Sequence, residues 1–257
     1  NNTSIGTQAA FTNTTGAGLT AVGFQSLLSN TTGNFNTASG YEALFNNTTG
    51  ANNTAIGYQA LKSNTTASNN IAIGSQALVS NSTGTSNVAI GRENLLSNST
   101  GANLTSVGYQ ALANNSTGAN NSASGSQSLF TNSTGNNNIA QGSFSLYSNS
   151  TGSQNTAIGH QALFANTASN NIAIGYQALR LHTTGISNTA LGMETDSGNF
   201  SGSVILGRAA TATANNQFVV GSAIVNAGAI TTETVTVDKT WTVKINGVNY
   251  KIPIVAA

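Results

Sequence analysis

The stretch Asn53-Thr54-Ala55-Ile56-Gly57-Tyr58-Gln59-Ala60-Leu61, followed by Asn64-Thr65-Thr66, decides the fold, because close copies of it recur along most of the chain. Aligned on the glycine that follows each short run, the copies place Gly6, Gly23, Gly40, Gly57, Gly74, Gly91, Gly108, Gly125, Gly142 and Gly159 at a constant spacing of 17. The spacing then becomes 16 to Gly175, 17 to Gly192, 15 to Gly207 and 14 to Gly221. A period of this kind marks one small structural unit stacked on itself along an axis.

Within a unit, the residues before the glycine read Thr54-Ala55-Ile56, Ile71-Ala72-Ile73 or Val88-Ala89-Ile90. β-Branched residues flank a small one, which is the period-2 pattern of a strand. The glycine then serves as a corner. The second run, Tyr-Gln-Ala-Leu or a near variant, ends in a leucine that ten successive units keep, from Leu27 to Leu179. Only about four residues separate each corner from the next turn signal, too few for a stable helix, so this run reads as a second strand. The unit closes on Asn-(Thr/Ser)-Thr-Gly, as at Asn30 to Gly33, where the side chains bond the local backbone. The expected fold is an all-β parallel β-solenoid with two short strands in each turn of about 17 residues. Identical residues then stack, and Asn53, Asn70, Asn87 and Asn121 are placed to form hydrogen-bonded ladders. Thirteen steps of about 4.8 Å give a rod roughly 60 Å long over residues 1–222.

The composition limits the partners. Charged residues make up 5% of the chain and leave a net charge of +1, so no cationic footprint for nucleic acid is expected. There is no Cys, which removes disulfides and thiolate metal sites. No apolar run approaches the twenty or so residues of a membrane span, and no basic-then-apolar leader opens the sequence, so direct membrane insertion is not expected. The chain opens in mid-repeat at Asn1-Asn2-Thr3-Ser4-Ile5-Gly6, and is expected to be the distal or processed part of something longer.

The residue after the conserved leucine is apolar in most units: Phe11, Leu28, Phe45, Val79, Leu96, Phe130, Tyr147 and Phe164. If the leucine points inward along a strand, this neighbour points outward and builds an apolar stripe along the rod. A three-fold assembly would bury such a stripe. The alternative is that the chain curls there and both residues share one small core.

At these residues the sequence resembles a known family. The Asn-(Thr/Val/Ile)-Ala-Ile-Gly units, with Ser203-Val204-Ile205-Leu206-Gly207 and Ala212 to Gly221, are similar to the head repeats of trimeric autotransporter (YadA-like) adhesins. The longer Gly-Tyr-Gln-Ala-Leu…Thr-Gly form is similar to repeats of phage tail fibres and other viral fibre proteins. The resemblance covers residues 1 to about 222 and implies a left-handed β-roll, a homotrimer and a structural role in host attachment. These residues contain neither a heptad stalk nor a C-terminal membrane barrel of the autotransporter type, which turns the expectation toward a virion tail fibre, bacteriophage foremost. A cell-surface adhesin head is the alternative, and an ice- or lattice-binding solenoid a more distant one. The implied partners are two further copies of the chain and a host-cell surface receptor, with a glycan as one candidate.

After Gly221 the pattern changes. Trp241-Thr242-Val243-Lys244-Ile245 and Val248-Asn249-Tyr250-Lys251-Ile252 flank Asn246-Gly247, the signal for a hairpin with a type I′ turn. Residues 223–257 therefore read as a small β-rich cap on the repeat array, or as a receptor-binding tip.

No catalytic, cofactor or metal site is expected, and no receptor-binding residue is singled out. The two histidines, His160 and His182, stand where Tyr58 and Asn64 stand in another unit and read as surface substitutions. A Ser-His-Asp site can be drawn from His182 and Asp196, since that stretch departs from the repeat, but it is not expected. Glu194 and Asp196 fall short of the six to eight oxygens a calcium ion takes. Nine units carry Asn-x-Thr, from Asn13 to Asn149, which reads as turn chemistry before it reads as glycosylation. The position after each glycine is often aromatic, as at Phe24, Tyr41, Tyr58, Tyr109 and Tyr176, and would offer stacked rings to a sugar or simply fill the corner.

Overall fold

A computed structural model describes residues 1–221, 239–245 and 248–254. Fourteen strands of three residues, from β1 (Thr3–Ile5) to β14 (Phe218–Val220), form one parallel sheet in strict sequence order. β4 (Thr54–Ile56) pairs with β5 (Ile71–Ile73), and β5 with β6 (Val88–Ile90), each residue opposite its repeat equivalent. The chain is thus a parallel β-solenoid with one strand per turn, and the middle residue of each strand faces the interior: Ala55, Ala72 and Ala89 are fully buried.

The expected second strand is absent, and this corrects the two-strand unit. In Tyr58-Gln59-Ala60-Leu61, φ is positive at Gln59 (55°) and Leu61 (52°), and the same alternation recurs at Glu42 and Leu44 and at Gln76 and Leu78. The run is a chain of turns whose hydrogen bonds still run along the axis: Gln59 N–H donates to Tyr41 O at 2.8 Å and Leu61 N–H to Ala77 O at 3.0 Å. The physical reason lies in the core. A strand would send Ala60 and Leu61 to opposite faces, whereas the curled backbone buries both completely. Each buried leucine stabilises by about 1.5–3 kcal/mol relative to exposure, which offsets the unfavourable left-handed φ.

Gly57 shows why the corner is glycine. Its φ is 135°, and a Cβ placed there would lie 2.5 Å from the carbonyl oxygen of Gly74 and 2.6 Å from its carbonyl carbon. The corners of successive turns rest directly on one another.

Two asparagine columns complete the interior. In one, the Oδ1 of each residue accepts the backbone N–H of its equivalent one turn on, as Asn53 does from Asn70 and Asn70 from Asn87, both at 3.0 Å. Their amides donate to the turn carbonyls of Ala67 and Gly84. The other column runs through the Asn-x-Thr sites. Asn47 Nδ2 donates to Asn30 Oδ1 at 2.8 Å, Asn64 to Asn47 at 2.8 Å, and the chain of amides continues to Asn149. All of these, from Asn30 on, are buried. Turn chemistry therefore accounts for the Asn-x-Thr pattern, and the amide nitrogens that glycosylation would need are enclosed and hydrogen-bonded.

The shorter units lose residues from the turn while strand register holds, as in Thr156↔Ile172. Where Asn166-Thr167-Ala168 replaces a longer turn, Asn166 donates to Ala168 O at 2.8 Å, and Asn149 Oδ1 is left without a partner.

Residues Asn226–Ala257 form a second compact unit. Its strands β15 (Lys239–Ile245) and β16 (Val248–Ile254) pair antiparallel with Ile245 opposite Val248. The hairpin is thereby seen. Its turn at Asn246-Gly247, the stretch 222–238 and the side-chain packing on which the cap reading depends lie outside the described residues.

Candidate functional surface

Three outward columns carry the chemistry of this rod. The first is the sheet face. Because Ala55 points inward, Thr54 and Ile56 point outward, and so do the first and third residues of every strand. Ile56, Ile73, Ile90 and Val107 are 36–41% exposed along one line, with Ile71, Ile139, Ile172 and Val204 on the neighbouring line. No Asp, Glu, Lys or Arg occupies a strand position from β1 to β14. Exposed apolar surface is therefore not confined to the Phe45 stripe expected from the sequence. The alternation Thr-Ala-Ile was the signal for this larger face.

The second column is that stripe. Leu44 is buried and Phe45 lies outside the core, half-buried, so the two do not share an interior. The rings cover each other: Phe130, Tyr147 and Phe164 stack with centroids 5.2 and 5.1 Å apart and planes within 5°. Lys62 lies over Phe45 and Arg180 over Phe164, at 5.7 and 5.9 Å. Lys62 also pairs with Glu42 at 2.7 Å, and its hydrogen bond holds the Glu42 carboxyl below the ordinary carboxylate value.

The third column follows the corner glycines. Phe24, Tyr41 and Tyr58 stack at 5.1 and 5.4 Å, so within the stack each ring spends its faces on its neighbours and turns its edge to solvent. A ring face is available to a ligand only where the column is interrupted.

The candidate histidines separate. His160 is exposed and stacks on Tyr176 at 5.7 Å. His182 corrects the reading as a surface substitution: it is fully buried in the amide column. Its Nδ1 meets Ser197 Oγ at 2.5 Å and its Nε2 meets the carbonyl of Gly185 at 2.6 Å, and burial pushes its pKa down. The Ser-His-Asp grouping is thus only half assembled. Asp196 accepts the N–H of Gly198 at 2.9 Å and forms no hydrogen bond with the imidazole, and Ser197 is as enclosed as the histidine. No substrate reaches that hydroxyl.

Beside this layer, Gln177, Arg180, Leu181, Glu194, Thr195 and Asp196 line a recess of about 170 Å³. Among the described residues, Glu194 and Asp196 gather no third histidine or acidic ligand that would make a metal site. Among the described residues no helix is long and apolar enough to cross a membrane. No protein-family model matches the chain, and no curated protein and no solved structure matches it either.

Proposed function

We propose that residues 1–222 are the shaft of a homotrimeric attachment fibre, wound as a left-handed β-roll and capped by residues 223–257. Its place is the tail fibre of a virus, bacteriophage foremost, where it holds a host-binding surface away from the particle. The observation that supports this reading is the sheet face, an uncharged and largely β-branched surface running the length of fourteen strands. Apolar surface left in water forgoes about 25 cal/mol for each Å² that association would cover, and a continuous face of this kind is uncommon on a monomer. Three chains closing their faces on one axis cover it with no open end. Axial hydrogen bonding then gives stiffness, and three identical chains multiply any weak contact with a host surface.

The native mass tests the assembly. Light scattering after size-exclusion separation should give three times the chain mass of 25.8 kDa, persisting on dilution. Ile73→Lys, placed on the outer face, should give a folded monomer. A stable, folded wild-type monomer would overturn the proposal. The gene segment preceding Asn1 separates a virion-anchored fibre from a cell-surface adhesin, since one needs an attachment domain and the other a secretion signal.

One observation favours the lattice-binding reading. Thr32, Thr49, Thr66, Thr83, Thr100 and Thr117 form an exposed line whose hydroxyls have no protein partner among the described residues. Thermal hysteresis in a monomeric preparation would support that reading over the fibre.

A further inference from the structure

The column of corner side chains contains a gap one layer thick. It runs Phe24, Tyr41, Tyr58, Ser75, Arg92, Tyr109. Gln76 N–H donates to Tyr58 O at 2.8 Å and Glu93 N–H to Ser75 O at 2.9 Å, so residues 58, 75 and 92 occupy successive layers in unbroken register. The three rings up to Tyr58 stack on one another, and Ser75 then supplies no ring. Beyond it, the Arg92 guanidinium is fixed by Glu93, which accepts from Nε at 2.9 Å and Nη2 at 2.6 Å, and it lies 5.8 Å from the Tyr109 ring. Tyr58 has Tyr41 on one face and no ring partner on the other among the described residues, and between its layer and that of Arg92 the column carries only the Ser75 hydroxyl, which leaves a slot.

The adjoining column supplies a further group. Gln59 donates to Glu42 at 2.8 Å and Gln110 to Glu93 at 2.7 Å. Gln76, level with the gap, makes no side-chain hydrogen bond among the described residues. A free amide, a free hydroxyl and the guanidinium donors that Glu93 leaves unused therefore surround one open aromatic face.

We propose that this slot binds a single hexopyranose unit of a surface glycan, which names the ligand class of the attachment reading and rests on it. The pairing of groups points to the class. Two layer steps of about 4.8 Å put the bracketing layers roughly 10 Å apart, room for one ring, as Tyr41 fills the like space between Phe24 and Tyr58. A saturated sugar ring carries C–H bonds on its faces and hydroxyls around its edge, and so complements a bare aromatic face and the unused donors together, whereas a planar apolar ring would leave those donors unpaired. The sugar sets an apolar C–H face on Tyr58 and directs hydroxyls to Arg92, Gln76 and Ser75. One such site is weak, and three copies on a trimer raise the avidity.

The full chain is applied to a printed array of mono- and oligosaccharides, beside Ser75→Tyr and Tyr58→Ala. Tyrosine already stands in this column at residues 41 and 58, so Ser75→Tyr completes the stack and occupies the slot; unchanged circular dichroism and native mass confirm its fold. The expected result is glycan binding by the wild type and a loss of about tenfold or more in both variants. Binding that Ser75→Tyr leaves intact overturns the slot and keeps the attachment reading. Absence of binding to every printed pyranoside also overturns the slot. The fibre reading fails separately, on a monomeric native mass.

Discussion

His182 Nδ1 lies 2.5 Å from the hydroxyl of Ser197 one turn further along the solenoid, and so reproduces with an imidazole the step that Asn132 makes with Asn115 at 2.8 Å. The Nε2–H donates to Gly185 O as an asparagine amide donates to the turn carbonyl three residues on, and Nδ1 accepts as the amide oxygen does. Only neutral imidazole has both a donor and an acceptor.

Stability should therefore depend on pH through this residue. Burial is the main cause of the lowered pKa; the hydrogen bond to Gly185 and the nearby Asp196 carboxylate act in the opposite direction. A folded pKa below the ordinary 6.5 means that the unfolded chain binds more protons in that window. The contribution is complete above pH 6.5 and is lost as pH falls toward the folded pKa. Urea midpoints between pH 8 and 5 should fall in the wild type and stay nearly flat in His182→Asn. A parallel decline in both would show that the dependence arises elsewhere.

Leu104 sits fully buried, between Asn87 and Asn121, in a column that asparagine fills except at Leu19, Leu104 and Ser203. Leu104→Asn should be tolerated or stabilising by about 1 kcal/mol, against the usual outcome for a buried leucine. The new amide would donate to Gly118 O and accept from Asn121 N–H, as Asn87 donates to Gly101 O and accepts from Leu104 N–H. A melting temperature several degrees lower would contradict the ladder account.

Asn81 donates to Asn64 Oδ1 at 3.1 Å and to Gly84 O at 2.9 Å. Asn81→Asp keeps the shape and turns a carboxylate toward two acceptors in a dry interior. The expected cost is about 3 kcal/mol or more, read as a loss of chemical stability at pH 7 that partly recovers on acidification, when the protonated acid can donate again.

Gly57→Ala combines a left-handed φ with a Cβ pressed against the Gly74 carbonyl. It should destabilise by several kcal/mol, in the upper range for single substitutions. Ala60→Ser, in the same turn, should cost far less, because Ser26, Ser128 and Ser145 occupy that place in other turns.

The glycine period and the Thr-Ala-Ile alternation made the sheet, its order and its register legible, since those depend on spacing and a two-residue rhythm. The Gln-Ala-Leu run was not, because short apolar runs do not distinguish a strand from left-handed turns; what decides is the need to bury Ala60 and Leu61 together. The line Asn53, Asn70, Asn87 was legible as a ladder. The second ladder hid behind turn chemistry, although every one of its asparagines stood in the quoted Asn-x-Thr sites. The slot at Ser75 shows only when residues 17 apart are laid above one another.

The hydrogen bonds that join the turns run along the axis, and nearly every turn offers its neighbours the same donors and acceptors. A 17-residue unit can therefore be deleted or duplicated so that the joined ends meet in the register they left. Lengthening or shortening the rod by one layer of about 4.8 Å needs no new packing solution, so the number of units sets its length directly.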